Sequence, residues 1–515
     1  VSEAYPGERP ITLAAPPPKD ARLKLALIYP DTYHMGMSNL GLHALYGLLA
    51  ERTPYVPHLL FYQQDLGLYR HRSVAGKGRG IDLRDFDVIA FTIPFELLYV
   101  NVARILQEQG VGLTPEERAG APLVIAGGYS PTGNPMPLAE VLDVAFIGEA
   151  EEAFPPFLDE VLANLAELKS PRGQEVRAEL LKHWHGRPGF YCPNINVDKP
   201  VKRHYVADAS EHVAVSRFVT PDTAFANRLL VQSARGCAAR CDFCLAGCTT
   251  HPLRLVDADT LLQTARLARG VTKRIGFIAE SPGDHPAIAE VTAALVDEGC
   301  DLSFSSLRLS SINDEMLASL LACGQQTVTI APEVLDENYR RRLHKPYPPN
   351  AGILRRSTEL LAAGIKRIKY YFMLGFEFED EGYLARLARW LEVLDAEARK
   401  VRPKGEPPVS FSFSFFVPKA HTPLELHPMP PVAELVARRK ALKKNYRGRA
   451  PLKFESAEWS LVQERLSRGG RDALELLLHL SAQRLTTPVV KDAITRFSLE
   501  SSAAHPVRHW DGFEM

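Results

Sequence analysis

Cys237, Cys241 and Cys244 constrain this chain more than any other residues. They lie in the run Ser233-Ala-Arg-Gly-Cys-Ala-Ala-Arg-Cys-Asp-Phe-Cys244, a C-x₃-C-x₂-C spacing. Thiolates this close together can converge on one iron–sulfur cluster if the backbone loops around it. Three protein ligands on a four-iron cube would leave one iron open to a further molecule. Structural zinc usually closes four ligands, often as two paired C-x₂-C elements. Cys248 could complete such a set, but no second pair follows. Disulfides are disfavoured, because nothing in the sequence marks an oxidising destination.

The aromatic Phe243 before the third cysteine makes the motif C-x₃-C-x-Φ-C. It resembles the signature of the radical S-adenosylmethionine (radical SAM) family. The resemblance implies a 4Fe–4S cluster on Cys237, Cys241 and Cys244, with Phe243 against the adenine of SAM. In that family the open iron holds the amino and carboxylate groups of SAM. One electron, from an external reductant such as flavodoxin or ferredoxin, cleaves SAM to a 5′-deoxyadenosyl radical.

With 515 residues the chain can bury two or three sizeable cores. Lys plus Arg equals Asp plus Glu, 61 each, so no overall charge draws it to nucleic acid or anionic membrane. The local basic run of Arg340, Arg341, Arg342 and Lys345 reads as a solvated helix face. No apolar run approaches the ~20 residues of a membrane span. The Pro-rich start, Val1 to Asp20, has neither the apolar stretch nor the cleavage site of a signal peptide. Together with the cysteine usage this leads to the expectation of a cytoplasmic monomer.

Short apolar runs alternate with helical patterns in the N-terminal third. Leu23–Tyr29, His58–Tyr62, Val88–Thr92, Leu123–Ala126 and Val144–Ile147 read as strands of a doubly wound, Rossmann-like parallel sheet. Ligands of such sheets bind off the carboxyl ends of the strands. Those ends carry Tyr33, His34, Gly36 and Ser38, then Thr92 and Glu96, then Gly127 and Gly128, then Gly148 and Glu149. This order of loops, ahead of the cysteine motif, resembles the cobalamin-binding domain of one radical SAM subgroup. The resemblance implies that these residues contact cobalamin, with the glycines letting backbone approach the corrin. Proteins that replace the lower cobalt ligand by histidine usually carry D-x-H-x-x-G; here the run is Asp31-x-x-His34-x-Gly36. His34 then reads either as a cobalt ligand or as a loop histidine hydrogen-bonding its surroundings. No cysteine precedes Cys192, so this domain cannot hold the second cluster of methylthiotransferases.

From Arg228 the chain reads as strand–helix repeats, with strands at 229–232, 274–279, 302–309, 326–330, 367–374 and 409–417. They predict a partial (β/α)₆ barrel whose chemistry sits at the C-terminal strand ends. By resemblance, Glu280 and Ser281 would meet the SAM amino group. Ser305, Ser306 and Arg308 would meet its ribose and carboxylate, and Glu333 the ribose hydroxyls. Lys419 and His421, after the sixth strand, would meet substrate. Past Pro430 the alternation stops and a helical cap follows. His505, His509 and Trp510 read as part of a frayed tail.

These readings divide the chain into an arm (1–21), a cobalamin-binding domain (22–165), a linker (166–221), a radical SAM barrel (222–430) and a helical C-terminal domain (431–515). The activity implied is a cobalamin-dependent radical SAM C-methyltransferase, moving methyl from methylcobalamin to an unactivated carbon. Alternatives are a non-methylating rearrangement or cyclisation, an RNA modifier, which neutral charge disfavours, and a cobalamin sensor, which the cysteine loop disfavours. The substrate stays open among a peptide or protein side chain, a lipid and a small metabolite.

Overall fold

The computed structural model describes residues 7–11, 17–20, 22–69, 81–196, 199–305, 307–500, 510 and 512–515. Ser306, His505 and His509 lie outside them. Among the described residues no helix is long and apolar enough to cross a membrane.

The first sheet runs Gly67–Tyr69, Val56–Gln63, Lys24–Tyr29, Val88–Thr92, Leu123–Gly127, Val144–Phe146, Phe190–Tyr191. Its inner pairs are parallel and its two edge pairs antiparallel. Val88–Thr92 is buried along its whole length, as a strand covered on both faces must be. Chain order reverses between Lys24–Tyr29 and Val88–Thr92, which opens a crevice at their carboxyl ends. Residues 166–221, expected as a linker, carry the helix Gly173–Trp184 and the edge strand Phe190–Tyr191. That strand is too short to show alternation in sequence. It is held by aromatic packing, with the Trp184 and Phe190 rings 4.6 Å apart.

The barrel is split. Leu229–Gln232, Arg274–Ile278 and Asp301–Phe304 form one parallel sheet. Thr327–Glu333, Arg367–Leu374, Val409–Phe415 and Leu452–Phe454 form another. Gln325 bridges the seam: its Oε1 accepts from the Phe304 N–H at 3.0 Å and its Nε2 donates to the Thr327 carbonyl at 3.1 Å. One side-chain amide thus stands where ladder bonds would run. The third strand is shorter than expected and ends at Phe304, so Ser305 and Arg308 lie beyond the sheet. Leu452–Phe454 adds a seventh strand within the stretch read as purely helical; three residues carry no periodicity to read.

Helices close the outer face, and several start at side-chain caps. Asp257, Asn313, Asp336 and Asp380 each accept from the backbone N–H three residues on, satisfying a donor that a helix start leaves open. The C-terminal helices dock on the first domain. Buried Arg104 donates to the carbonyls of Leu480, Ser481 and Gln483 at the end of the helix Ala473–Ser481, where positive charge is favoured. The described end of the tail, Trp510 and 512–515, is held in place. Trp510 is buried, with its indole N–H on Glu425 at 2.8 Å, and Phe513–Glu514 pairs with Val201–Lys202.

Gly128 follows the strand Leu123–Gly127 at φ +115°, and a Cβ there would lie 2.6 Å from the Ile93 carbonyl oxygen. Gly128→Ala should therefore destabilise the first domain by roughly 2 kcal/mol or more, read as a lower thermal unfolding midpoint.

Candidate active site

The cysteine loop leaves the first barrel strand at its C-terminal end. Its two stems pair antiparallel, Ala234–Arg235 with Arg254–Leu255. Gly236 makes the turn into the loop at φ +82°, where a Cβ would lie 2.6 Å from the Thr250 carbonyl oxygen. Backbone donors already point at sulfur: Ala239 N–H at Cys237 (3.5 Å) and Gly247 N–H at Cys244 (3.3 Å). Burial pushes the Cys241 thiol up to about 12 and also raises Cys244, while the nearby Lys345 ammonium pulls both down. Lys345 is bonded to Glu333 at 2.8 Å, and its ammonium lies 5.7 Å from the centre of the Phe243 ring. The basic run expected as a solvated face is therefore divided. Lys345 turns inward beside the cysteines, and buried Arg340 ties down the loop by donating to Val334 and Asn350. Arg240, Glu333, His344 and His421 all have positive φ at this mouth, backbone strain of the kind that collects at functional sites.

A cavity of about 460 Å³ opens between the loop and the first sheet. Its floor holds Thr92, Pro94, Gly127 and Gly128, one wall the helix Leu40–Arg52, and its roof Gln232, Thr250, Ile278 and Glu280. Glu280 accepts from Tyr129 at 3.1 Å and from Thr250 at 3.3 Å, joining floor to roof. The Thr92 hydroxyl is buried on the floor with no hydrogen-bond partner among the described residues, and the Ser130 hydroxyl, also buried, is in the same state.

Glu149 lines this cavity and is at the same time tied into the protein. It pairs with Arg235 at 2.8 Å and Arg254 at 2.7 Å, one guanidinium from each stem of the cysteine loop. Arg235 also holds Glu151 at 2.7 Å. Gly148 lines the cavity too, and protein stands on its Cβ side, where a Cβ would lie 2.0 Å from the His204 carbonyl oxygen.

The remaining expected residues are scattered. Ser38 lines the cavity and bonds Thr223 at 2.8 Å. His34 lies outside the cavity lining, with its Nδ1 2.9 Å from Asp222, as a loop histidine would be. The Tyr33 hydroxyl donates to Glu8. Gly36 sits where a Cβ would strike the Phe61 ring. Ser281 is buried with an unpartnered hydroxyl, and Ser305 donates weakly to the Ala279 carbonyl at 3.4 Å. Arg308 already grips Asp284 with both Nε and Nη2, so its fork is occupied. Lys419 is bonded to buried Glu96 at 2.7 Å and to Ser467 at 3.1 Å, a latch across domains rather than a free ammonium. Burial pushes the Glu96 carboxyl up, but Lys419 and Gln463 outweigh it and hold it low. The His421 backbone N–H donates to Glu425 at 2.9 Å, and its ring lies 6.3 Å from Trp510. Sequence reasoning missed Arg235, Arg254, Tyr129 and Lys345. Only Arg235, two residues before Cys237, stood where motif adjacency could have flagged it.

The sequence profile of the radical SAM superfamily matches residues 231–391, and that of the N-terminal part of radical SAM proteins matches 41–193. The cysteine loop thus falls inside the stretch that matches the radical SAM superfamily. An uncharacterized protein of Methanocaldococcus jannaschii is 27% identical over 409 residues, covering 78% of this chain and 79% of its own. The fold is shared with the radical SAM methyltransferase TsrM of Kitasatospora setae, solved with cobalamin and a 4Fe–4S cluster bound. That match has a TM-score of 0.52 at 14% identity, over 81% of this chain and 79% of that one. It is shared also with OxsB, a cobalamin-dependent S-adenosylmethionine radical enzyme (TM-score 0.50, 14% identity, 95% of this chain and 77% of that one).

The radical SAM loop suits a cluster better than a single ion. Two sulfurs on one tetrahedral zinc would lie about 3.8 Å apart. Among the described residues, the only grouping of ligand atoms all within 4.8 Å is Glu152, Glu211 and His212, so the three cysteine sulfurs are spread wider. Alanine at Cys237, Cys241 or Cys244 should abolish reconstituted iron and its visible absorbance, whereas Cys248→Ser should keep both. Loss of metal in the Cys248 variant would instead indicate a four-thiolate site.

Burial pushes the Glu149 carboxyl up, but Arg254, Arg235 and the Val206 N–H outweigh it and hold it below the ordinary 4.5. A carboxyl lowered on folding stabilises above its unfolded value, and that contribution is lost as pH falls through the folded one. Glu149→Gln should remove this part of the acid sensitivity. It should also cost about 3–5 kcal/mol at neutral pH by leaving the buried Arg254 guanidinium without a carboxylate; both effects can be read in denaturant unfolding at pH 7 and pH 4.

Proposed function

We propose that this chain is a radical SAM enzyme that works with a cobalamin held in the cavity between the first sheet and the cysteine loop. The observation that carries the reading is the placement of that cavity. It lies at the carboxyl ends of the doubly wound strands and directly against the stems of the cysteine loop, with the buried Thr92 hydroxyl at its floor lacking a partner among the described residues. Cys237, Cys241 and Cys244 would hold the cluster, and Thr92, Gly127 and the Leu40–Leu48 wall the cobalamin. When bound, the two groups would supply the electron that cleaves SAM and the chemistry of cobalt.

The chain's own part is positioning. The Glu149–Arg235–Arg254 clamp and the Glu96–Lys419 latch fix the floor of the cavity against the barrel mouth on two sides. Lys345 places positive charge beside the cysteines, which favours thiolate over thiol. The seven cysteines are free, in keeping with a reducing compartment such as the cytoplasm.

The reading stops short of methyl transfer. OxsB, whose fold spans 95% of this chain, is described as a cobalamin-dependent radical enzyme and not as a methyltransferase. Cyclisation or rearrangement therefore fits the same site at least as well. Anaerobic reconstitution with iron, sulfide and hydroxocobalamin, followed by SAM and a strong reductant, tests the proposal. Retained cobalamin and formation of 5′-deoxyadenosine are expected. S-adenosylhomocysteine formed alongside would select methyl transfer, and deoxyadenosine without it would select the non-methylating class. Failure to retain cobalamin would overturn the reading of the cavity.

A further inference from the structure

The inner face of the larger half-barrel is not filled. Along Arg367–Leu374, the residues Ile368, Tyr370, Phe372 and Leu374 are buried in the core with the helices, while Lys369 and Tyr371 are exposed, Tyr371 by 44%. Along Val409–Phe415 the same alternation leaves Ser410, Ser412 and Ser414 half-buried. Register aligns these rows: Thr329 with Lys369 with Ser410, and Tyr371 with Ser412 with Lys453. Parallel barrels ordinarily fill this space with branched side chains. Here hydroxyls, a phenol and two ammonium groups face it instead. The upper end of the trough meets the cysteine loop, since Met373 and Phe243 pack on the same aromatic group around Phe376 and Phe416.

We infer that this trough is the substrate site and that the substrate is a small molecule carrying a carboxylate. The inference rests on the function proposed above and names its substrate class. Lysines at the mouth are paired, Lys345 with Glu333 and Lys419 with Glu96. Among the described residues, Lys369 and Lys453 take part in no ion pair, and acidic groups join the inner rows only at the top, with Glu333 and exposed Glu455. An apolar chain laid here would leave hydroxyls and ammonium groups without partners. A phosphate calls for convergent donors, such as an arginine fork or free backbone N–H groups at a helix start. Strand N–H groups here are tied into the ladder, and the lysines are single point charges. Lone ammonium groups among serine hydroxyls suit a carboxylate. The Glu96–Lys419 latch holds the first domain against the C-terminal strand ends, which favours a small molecule over a folded protein.

Saturation-transfer NMR on the full chain, reconstituted with cluster and cobalamin, tests this with succinate as the probe, and with succinamide and pyrophosphate as comparators. Succinate should bind in preference to both. Lys369→Met and Lys453→Met should each weaken it about tenfold, and Lys369→Arg should restore it, which separates loss of charge from loss of fold. Equal binding by the methionine variants, or binding of succinamide or pyrophosphate as strong as that of succinate, overturns the inference. Deoxyadenosine formation by the unmodified protein is scored in the same preparation. If it forms while the trough ignores carboxylates, only the substrate class fails. If it does not form, the proposed function fails, and the binding result still decides the trough.

Discussion

One carboxylate between two guanidiniums sets the geometry on which the rest depends. Glu149 ends a strand connection of the first domain, and Arg235 and Arg254 stand on the two stems of the cysteine loop. The stems form a ladder of only two residues a side, too short to be stable alone. Gripping both at once pins the loop's base and fixes its distance from the first sheet in the same contact. Burying these charges is costly, and a lone pair would be weak evidence of stability. Here Glu151, Gln232 and the Val206 N–H complete the network around Arg235 and Glu149, so few donors or acceptors at its centre go unmet.

The split barrel follows from what fills its two halves. Leu230 and Ile278, on the inner face of the smaller half, pack with Leu40 and Ala44 of the first domain's helix and with Ala214. That half is thus plugged by the domain it carries. The larger half has no such plug, and its inner face stays polar. The seam between them is closed by Gln325 instead of a strand pair, which frees the two halves from sharing one radius. The cavity and the trough lie on either side of the cysteine loop, and both are consequences of this asymmetry.

The sequence was most legible where one pattern answered to one physical demand. The cysteine spacing could serve few purposes, and runs such as VIAFT can only be strands covered on both faces. The six expected barrel strands are all present for the same reason. Side-chain roles were harder to read, because each depended on a partner far away in the chain. Nothing around Glu149 announces Arg254, 105 residues on. Nothing around Lys419 announces Glu96, 323 residues back. Glu149 and Lys419, read as site residues from their loops, also hold distant parts of the chain together. The short strands at 190–191 and 452–454 were missed because neighbours and aromatic stacking, not periodicity, hold them.

The lysines show how these roles divide. Lys419 and Lys345 sit at the mouth, yet Lys419 is matched by a buried carboxylate and Lys345 by a half-buried one, and the first braces two domains. A paired ammonium in a dry setting is expensive to separate from its partner, which suits it to holding structure and ill suits it to exchanging ligands. Lys369 and Lys453 sit deeper, in strands that sequence reading treats as framework, and carry charge without a protein counter-ion among the described residues. A folded chain gains little by aiming such groups into an unfilled barrel interior unless something charged comes to meet them. Pairing, more than position in a loop, separates the residues that build this site from those available to a ligand.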